Sequence, residues 1–166
     1  EELSAQELVA AVLERFGDRV SLACSFQKEE SVLLDLLFAV EPRARVFALD
    51  THVLFPETYA LWRDLERRYG VEVEVFEGPT LARQAAEHGD ELWARDPAAC
   101  CQIRKVEPLG RALEGLRAWI TGVRREQSFD VLPDPVVPAG CGEKRCPLLF
   151  RPFDGGLKQR FHALPM

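Results

Sequence analysis

The 166-residue chain is predicted to be an α/β protein, with a mostly parallel sheet and helices on both faces. Short apolar runs alternate with segments whose apolar residues recur every three or four positions, the pattern of strand–helix–strand units. Residues 45–50 are almost continuously apolar, as expected of a strand buried on both faces. The length corresponds to one domain, and 47% hydrophobic residues supply a core.

Start and stop signals delimit the expected helices. Ser4-Ala-Gln-Glu7 has the form of a capping box, and Gly17 ends the helix that follows. Pro56 suits the first turn of a helix that Gly70 ends. We expect helices over residues 4–16, 29–40, 56–69, 79–88 and 106–116, and strands near residues 19–24, 45–50, 72–76 and 118–123. Strict alternation over 71–76 indicates a strand near a sheet edge.

The composition changes after Ser128. Residues 129–166 hold six of the eleven prolines and no long periodic run. We therefore predict an α/β domain over residues 1–128, followed by an irregular, Pro-rich, cysteine-containing tail over residues 129–166 that is not an independent domain.

Charge and cysteine content exclude some classes of protein. A net charge of −6 disfavours a nucleic-acid-binding protein, which would need a basic face. The longest apolar run, residues 31–40, falls short of the roughly 18 residues of a membrane span and carries Asp35. Five cysteines without an export signal favour the reducing cytoplasm and metal or redox chemistry.

Two adjacent cysteines, Cys100 and Cys101, are the most informative feature. Neighbouring cysteines rarely bridge each other, because their Cα atoms are too close for a relaxed disulfide. Two thiolates followed by Arg104 and Lys105 suit a metal or an iron–sulfur cluster with compensating positive charge. Two small buried hydrophobic residues would look the same. Cys141 and Cys146 bring the candidate ligands to four, which leaves zinc as a further alternative.

Polar segments directly follow three of the expected strands. In such sheets ligands bind beyond the carboxyl ends of the strands. Ser25 to Ser31 could hold an anion at a helix start, although an ordinary capped helix is commoner. Asp50 to Phe55 could reach a ribose or an adenine edge, or Asp50 could only cap a turn. Arg124 and Arg125 could fork onto phosphate or sulfate oxygens, or form a surface cluster with Glu126.

Together these motifs resemble the assimilatory sulfonucleotide reductases of the PP-loop superfamily, which reduce adenylyl sulfate or its 3′-phospho form. The resemblance is carried, in the family's order and over roughly residues 18–128, by Ser25-Phe-Gln-Lys-Glu-Glu-Ser31, by Phe47-Ala-Leu-Asp-Thr51 with Leu54-Phe-Pro-Glu-Thr-Tyr59, by Cys100-Cys-Gln-Ile-Arg-Lys-Val-Glu-Pro-Leu109 and by Ile120-Thr-Gly-Val-Arg-Arg-Glu-Gln-Ser128. The cysteine and double-arginine motifs are highly specific, whereas the first loop alone is not.

The resemblance implies a function and a set of site residues. Members with a cysteine doublet carry a [4Fe–4S] cluster, usually act on adenylyl sulfate, and use thioredoxin to release sulfite in sulfate assimilation and cysteine biosynthesis. The implied cluster ligands are Cys100, Cys101, Cys141 and Cys146. The implied substrate-binding residues are Ser25, Gln27, Lys28, Leu49, Asp50, Thr51, Lys105, Arg124 and Arg125. Lys105 would lie between the cluster and the substrate. A homo-oligomer is left open.

The chain departs from the family pattern at three places. His52 stands where members usually have glycine, and its side chain is expected to narrow the nucleotide pocket. Four residues separate Cys141 from Cys146, instead of two. The family's nucleophilic cysteine lies in a Glu-Cys-Gly-Leu-His motif that this sequence lacks. Because that thiolate attacks the substrate sulfur and displaces AMP, we expect poor turnover by this chain.

Three functions therefore remain in view. The first is a thioredoxin-dependent adenylyl-sulfate reductase, truncated and without its usual nucleophile. The second is a non-catalytic nucleotide-binding iron–sulfur module. The third is a reductase specific for phosphoadenylyl sulfate.

Overall fold

The computed structural model describes residues 4–122 and one further strand at 149–152. Seven α-helices lie in these ranges: α1 (Ala5–Phe16), α2 (Lys28–Val40), α3 (Pro56–Tyr69), α4 (Leu81–His88), α5 (Leu92–Arg95), α6 (Pro97–Cys101) and α7 (Glu107–Ala112). The five strands are β1 (Val20–Ala23), β2 (Val46–Asp50), β3 (Glu74–Glu77), β4 (Ala118–Thr121) and β5 (Leu149–Pro152). A 3₁₀ turn, Gly17–Arg19, precedes β1, and a π-helical turn, Gln102–Val106, joins α6 to α7.

The expected helix signals act as predicted. Ser4 Oγ accepts a hydrogen bond from Glu7 N at 3.3 Å, and the Glu7 carboxylate accepts from Ser4 N at 2.7 Å, which completes the capping box. Pro56 opens α3, and Gly70 ends it in the left-handed conformation at φ 65°. These local signals explain why the bounds of α1 and α3 were predictable.

The strands form one sheet in the order β3-β2-β1-β4-β5. The first four are parallel to their neighbours, and β5 pairs with β4 in the antiparallel direction. The chain moves from β1 outward to β2 and β3, then crosses to β4 on the other side of β1. The topological switch point, where a crevice opens beyond the strand ends, is therefore between β1 and β4.

Helices cover both faces of the sheet, as predicted. On one face, α1, α2 and α3 bury a cluster that includes Leu8, Leu34 and Trp62. On the other face, the α7 residues Leu109 and Ala112 pack with Leu113, Leu116 and Phe47. Burial on both faces accounts for the continuous apolar run of β2.

The structure differs from the sequence-based expectation in four places. β3 begins at Glu74, later than expected, because the backbone N–H groups of Val71 and Val73 donate to oxygens of Glu66 on α3. Residues 92–106 form three short helical segments that were not predicted. α7 ends at Ala112, before Gly115 at φ 77°. Strand β5 lies in the tail that was expected to be irregular.

The edge position expected of the third strand is confirmed, since β3 pairs only with β2 among the described strands. No helix in residues 4–122 is both long and apolar enough to cross a membrane. The predicted division at residue 128 lies outside the described residues and stays a prediction.

Candidate active site

The carboxyl ends of β1, β2 and β4 lie side by side, with β1 in the middle. Gly122, directly after β4, packs against the start of α2: a Cβ at this position would lie 2.5 Å from Glu30 Oε1. Glu30 is buried there, and its Oε2 has no hydrogen-bond partner among the described residues. The loop after β1 and Gly122, directly after β4, therefore lie beside each other at this end of the sheet.

The first of these segments leaves its polar groups exposed. Ser25, Gln27 and Lys28 are exposed, and Gln27 is the N-cap of α2 without a side-chain capping hydrogen bond. A helix start without a side-chain cap can bind an anion. Lys28 Nζ lies 4.0 Å from Glu29 Oε1, the upper limit of an ion pair. The anion-binding role expected of this loop stays a prediction.

Cys24, at the end of β1, is buried beneath this loop. Burial raises the pKa of its thiol from 9.0 to about 12. Phe26, at φ 61°, stacks on Trp62 with ring centroids 4.8 Å apart and closes the core over the cysteine. At neutral pH Cys24 is therefore a protonated thiol and a poor nucleophile.

The turn after β2 is organised by Asp50. Its Oδ1 accepts hydrogen bonds from His52 N and from Tyr59 Oη, each at 2.7 Å. Desolvation, together with the hydrogen bond to Asp50, raises the pKa of Tyr59 to about 12, so its hydroxyl remains a donor. Thr51 is buried, whereas Leu49 is half-buried against the α7 face of the sheet. Asp50 therefore caps this turn, which is one of the two roles that the sequence allowed for it.

His52 has the left-handed backbone conformation, with φ 57°. This conformation favours glycine, which explains why glycine suits this position. Its Nε2 lies 3.3 Å from both Gly78 O and Glu77 Oε2. Asp50, His52 and Glu77 each offer a ligand atom, all within 4.8 Å of one another, so this trio could hold a cation. Asp50 Oδ1 and the imidazole are, however, already used in hydrogen bonds.

The cysteine pair lies at the junction of α6 and the π-helical turn. Asp96 begins α6 and accepts a hydrogen bond from Ala99 N at 2.9 Å. Cys100 is buried, Cys101 is exposed, and both are free thiols. The α4 residue Gln84 lies behind Cys100, with Nε2 at 3.9 Å from its Sγ. Gln84, Leu81 and Trp93 also line a surface pocket of about 560 Å³ beside this turn.

Arg104 joins the cysteine turn to the carboxyl end of β2. It is 5% exposed, and its Nη1 donates to the backbone oxygen of Thr51. Its Nη2 has no partner among the described residues. Gly78, after β3, permits this approach, since a Cβ there would lie 2.9 Å from Ile103 O. From the sequence, Arg104 was predicted only to compensate the negative charge of a metal or iron–sulfur cluster. Its contact with Thr51, 53 residues away in sequence, leaves no local signal.

The remaining predicted site residues divide into two groups. Lys105 is exposed and follows Arg104 on the π-helical turn. Arg124, Arg125, Cys141 and Cys146 lie outside the described residues. Gly122 and Leu149, which flank that segment, both lie at the carboxyl end of β4, since Leu149 pairs with Thr121.

The donor set suits an iron–sulfur cluster. Two free thiols follow each other on one turn, with Arg104 and Lys105 next to them. The groups of three or more metal-binding side chains found within residues 4–122 do not include either cysteine.

Comparison with known proteins relates this sequence to the sulfonucleotide reductases. A sequence model of the phosphoadenosine phosphosulfate reductase domain matches residues 19–140. The chain is 45% identical over 126 residues to an adenosine 5′-phosphosulfate reductase of Geobacillus kaustophilus, a match that covers 75% of the chain and 54% of the relative. It is 47% identical over 131 residues to a phosphoadenosine 5′-phosphosulfate reductase of Gloeobacter violaceus, covering 77% and 54%.

A solved structure shares the fold. The crystal structure of a phosphoadenylyl-sulfate reductase from Candida auris, in a phosphate complex, matches with a TM-score of 0.71 and 28% identity over 84% of this chain and 70% of that one. The fold and these matches define an α/β protein of the sulfonucleotide reductase type. The chain belongs to the phosphoadenosine phosphosulfate reductase domain family. It spans about half the length of the curated relatives it matches.

Proposed function

We propose that the chain is the nucleotide-binding part of a thioredoxin-dependent adenylyl-sulfate reductase, which converts the sulfonucleotide into AMP and sulfite. The observation that carries this proposal is the contact of Arg104 with Thr51 O. It joins the cysteine turn to the carboxyl end of β2, so that metal-binding and nucleotide-binding residues share one site. The proposed setting is cytoplasmic sulfate assimilation, upstream of cysteine biosynthesis.

The nucleotide is proposed to lie across the carboxyl ends of β1 and β2. Exposed Ser25, Gln27 and Lys28 and the uncapped first turn of α2 offer donors to an anion. Leu49, Asp50 and Thr51 form the neighbouring wall, where main-chain groups can meet an adenine edge.

The phosphosulfate is proposed to lie toward Lys105, Arg124 and Arg125. Two supports are the position of Gly122 beside the switch-point crevice and the exposure of Lys105 on the cysteine turn. Arginines bind phosphate and sulfate oxygens in a bidentate manner, so the pair can hold the departing AMP and the sulfur group in line.

Cys100 and Cys101, with Cys141 and Cys146, are proposed to hold a [4Fe–4S] cluster. When bound, this group supplies an anionic iron–sulfur centre beside the substrate, whose charge Lys105 and Arg104 offset. The chain's own contribution is to orient the two thiolates and to exclude water from Cys100. Relatives bear the names of both adenylyl-sulfate and phosphoadenylyl-sulfate reductases, so a substrate with a 3′-phosphate is the alternative.

A non-catalytic nucleotide-binding module is the second candidate. The observation in its favour is that Cys24, the one cysteine outside the proposed cluster ligands, is buried with a pKa of about 12. No thiol of the 166-residue sequence is then left to attack sulfur.

The proposal is tested on anaerobically purified protein by iron and acid-labile sulfide analysis and by calorimetric titration with adenylyl sulfate and adenosine. Changing Arg124 and Arg125 together to Ala should weaken adenylyl-sulfate binding by at least about tenfold, since charge-assisted hydrogen bonds contribute about 1.5–3 kcal/mol each. Adenosine binding should stay unchanged.

The matched control is the double change of Arg67 and Arg68 to Ala. This adjacent pair is exposed in the last turn of α3, and the change should leave both affinities as they are. Equal loss of adenosine and adenylyl-sulfate binding in the Arg124/Arg125 variant would contradict the placement of the phosphosulfate. Zinc without iron would contradict the cluster.

A further inference from the structure

A buried amide lies directly behind the cysteine pair. Gln84 is the one buried residue of α4, a helix that is otherwise exposed or half-buried. Glutamine is rarely so buried, because its amide must find hydrogen bonds in exchange for those to water. Because the Gln84 side chain is only 4% exposed, an interaction of its amide is needed to compensate for the loss of hydrogen bonds to water.

One end of this amide faces a cysteine sulfur, and the other end has no partner. Gln84 Nε2 donates to Cys100 Sγ at 3.9 Å. Oε1 is buried and accepts no hydrogen bond among the described residues. An unsatisfied buried acceptor costs about 1–3 kcal/mol, so packing alone would favour an apolar side chain of the same size.

The donor end of the Gln84 amide faces the sulfur. A thiol sulfur accepts hydrogen bonds only weakly, whereas a thiolate, including one bound to iron, is the stronger acceptor. A donor at this position therefore suits a metal-bound thiolate better than a free thiol. Cys101 is exposed on the next residue, so the two thiolates would differ in their surroundings.

We propose that Gln84 is a positioning residue whose amide N–H donates to the cluster-bound Sγ of Cys100. The inference rests on the proposed function, because it requires the cluster on this cysteine. The hydrogen bond fixes the Cys100 side chain and withdraws electron density from its bond to iron. Without this hydrogen bond the Cys100 side chain would be held less firmly, so the iron should be lost more readily.

The test compares three variants of the anaerobic holoprotein. Gln84→Met keeps the side-chain length, Gln84→Leu keeps a similar volume, and both remove the donor. Gln102→Met makes the same change at an exposed glutamine on the π-helical turn that follows the pair. Resonance Raman spectroscopy of the terminal Fe–S(Cys) stretches, iron content and the rate of visible-absorbance loss to a ferrous chelator are measured for each.

Both Gln84 variants should raise one terminal Fe–S stretching frequency, because the sulfur no longer shares its lone pair with a donor. Both should also lose iron to the chelator at least about tenfold faster, the lower end of the effect of outer partners on metal sites. Gln102→Met should match the wild type in both measurements. If Gln84→Met does not fold, Gln84→Leu carries the comparison.

The two ways of failing are separable. Unshifted Raman bands in Gln84 variants with full iron content would overturn the role of Gln84 and leave the cluster proposal intact. A wild-type protein that contains no iron and shows no Fe–S bands would instead overturn the proposed cluster, and this inference with it.

Discussion

At the scale of single residues, His52 is a side chain held in a backbone conformation that favours glycine. A non-glycine residue with φ near 57° is strained by about 1 kcal/mol or more. The hydrogen bond from His52 N to Asp50 and the ring contacts with Gly78 and Glu77 offset this strain. A glycine here would lose the ring contacts and relieve the strain together.

We therefore predict that His52→Ala is about 1 kcal/mol less stable than His52→Gly, because alanine keeps the Cβ and loses the ring. Urea unfolding of the two variants measures the difference. Since the imidazole lies at the proposed nucleotide end of β2, His52→Gly should also bind AMP more tightly than the wild type. Equal stability of the two variants would contradict the strain.

Cys24 makes the free energy of unfolding depend on pH, and its raised pKa means that the protein becomes less stable as the pH rises. Its pKa is raised from 9.0 to about 12, so the folded protein keeps the thiol proton to higher pH than the unfolded chain does. The resulting stability is fully present below pH 9 and is lost as the pH rises toward 12, by about 1.4 kcal/mol per pH unit.

Urea unfolding under reducing conditions at pH 8 and pH 10 checks this prediction. Between these values the wild type should lose about 1.4 kcal/mol more unfolding free energy than Cys24→Ala. Other groups titrate equally in both proteins and cancel in the comparison. Parallel losses in the two proteins would mean that the thiol is accessible to solvent in the folded state.

At the scale of secondary-structure elements, the close approach of the π-helical turn to β3 depends on Gly78. A Cβ at this position would lie 2.9 Å from Ile103 O and 3.2 Å from Arg104 Cα, both backbone atoms that cannot rotate away. We predict that Gly78→Ala destabilises the protein by about 1–3 kcal/mol and weakens nucleotide binding by displacing Arg104 from Thr51.

Gly110, within α7, is the matched control. Nothing lies within 4 Å of a Cβ placed there, so Gly110→Ala should raise the free energy of unfolding by about 0.5–1 kcal/mol through helix propensity. Thermal or urea unfolding measures both variants. A Gly78→Ala protein as stable as the wild type would show that the turn can move aside.

The elements that the sequence predicted well are those with local signals. α1 has a capping box, α3 has Pro56 and Gly70 at its ends, and β2 is an apolar run, so each expected bound lies within one residue of the observed one. Residues 92–106 carry no period long enough to indicate a helix. Their short segments exist because they pack against each other and against α7.

The candidate site was predictable where its functional residues are adjacent in sequence. The cysteine doublet and the strand-end segments could be found because parallel strands place their carboxyl ends together. Gln84 and the contact of Arg104 with Thr51 could not, since each depends on a tertiary contact between residues far apart in sequence. Neither glutamine nor arginine carries a local pattern that reports burial.

At the scale of the whole molecule, sheet order decides which groups can react together. β1 lies between β2 and β4, which brings the first loop, the Asp50 turn and Gly122 to one end. Within residues 4–122, the free thiols are Cys24, buried in the sheet, and the pair on the π-helical side. Under the proposed function, nucleotide binding and cysteine attack are therefore expected to be separable properties of this polypeptide.

We predict that the 166-residue polypeptide binds adenylyl sulfate but releases sulfite very slowly with thioredoxin, because a ligated thiolate is not free to attack sulfur. Fusion of a segment carrying the Glu-Cys-Gly-Leu-His motif should restore release, and the same segment with Ser in place of its Cys should not. Sulfite is measured colorimetrically. Rapid release by the unfused polypeptide would show that one of the proposed cluster ligands is a free nucleophile.

The guanidinium of Arg104 has a thermodynamic consequence that reaches across the site. It extends from the turn that carries the cysteines and holds the carbonyl of Thr51 at the end of β2. A ligand that shifts Thr51 must shift this arginine, and a group seated on the cysteine turn must in return restrict Thr51. By linkage, the factor by which one ligand changes the binding affinity of the other is the same in both directions. The two halves of the proposed site are thus expected to be energetically coupled.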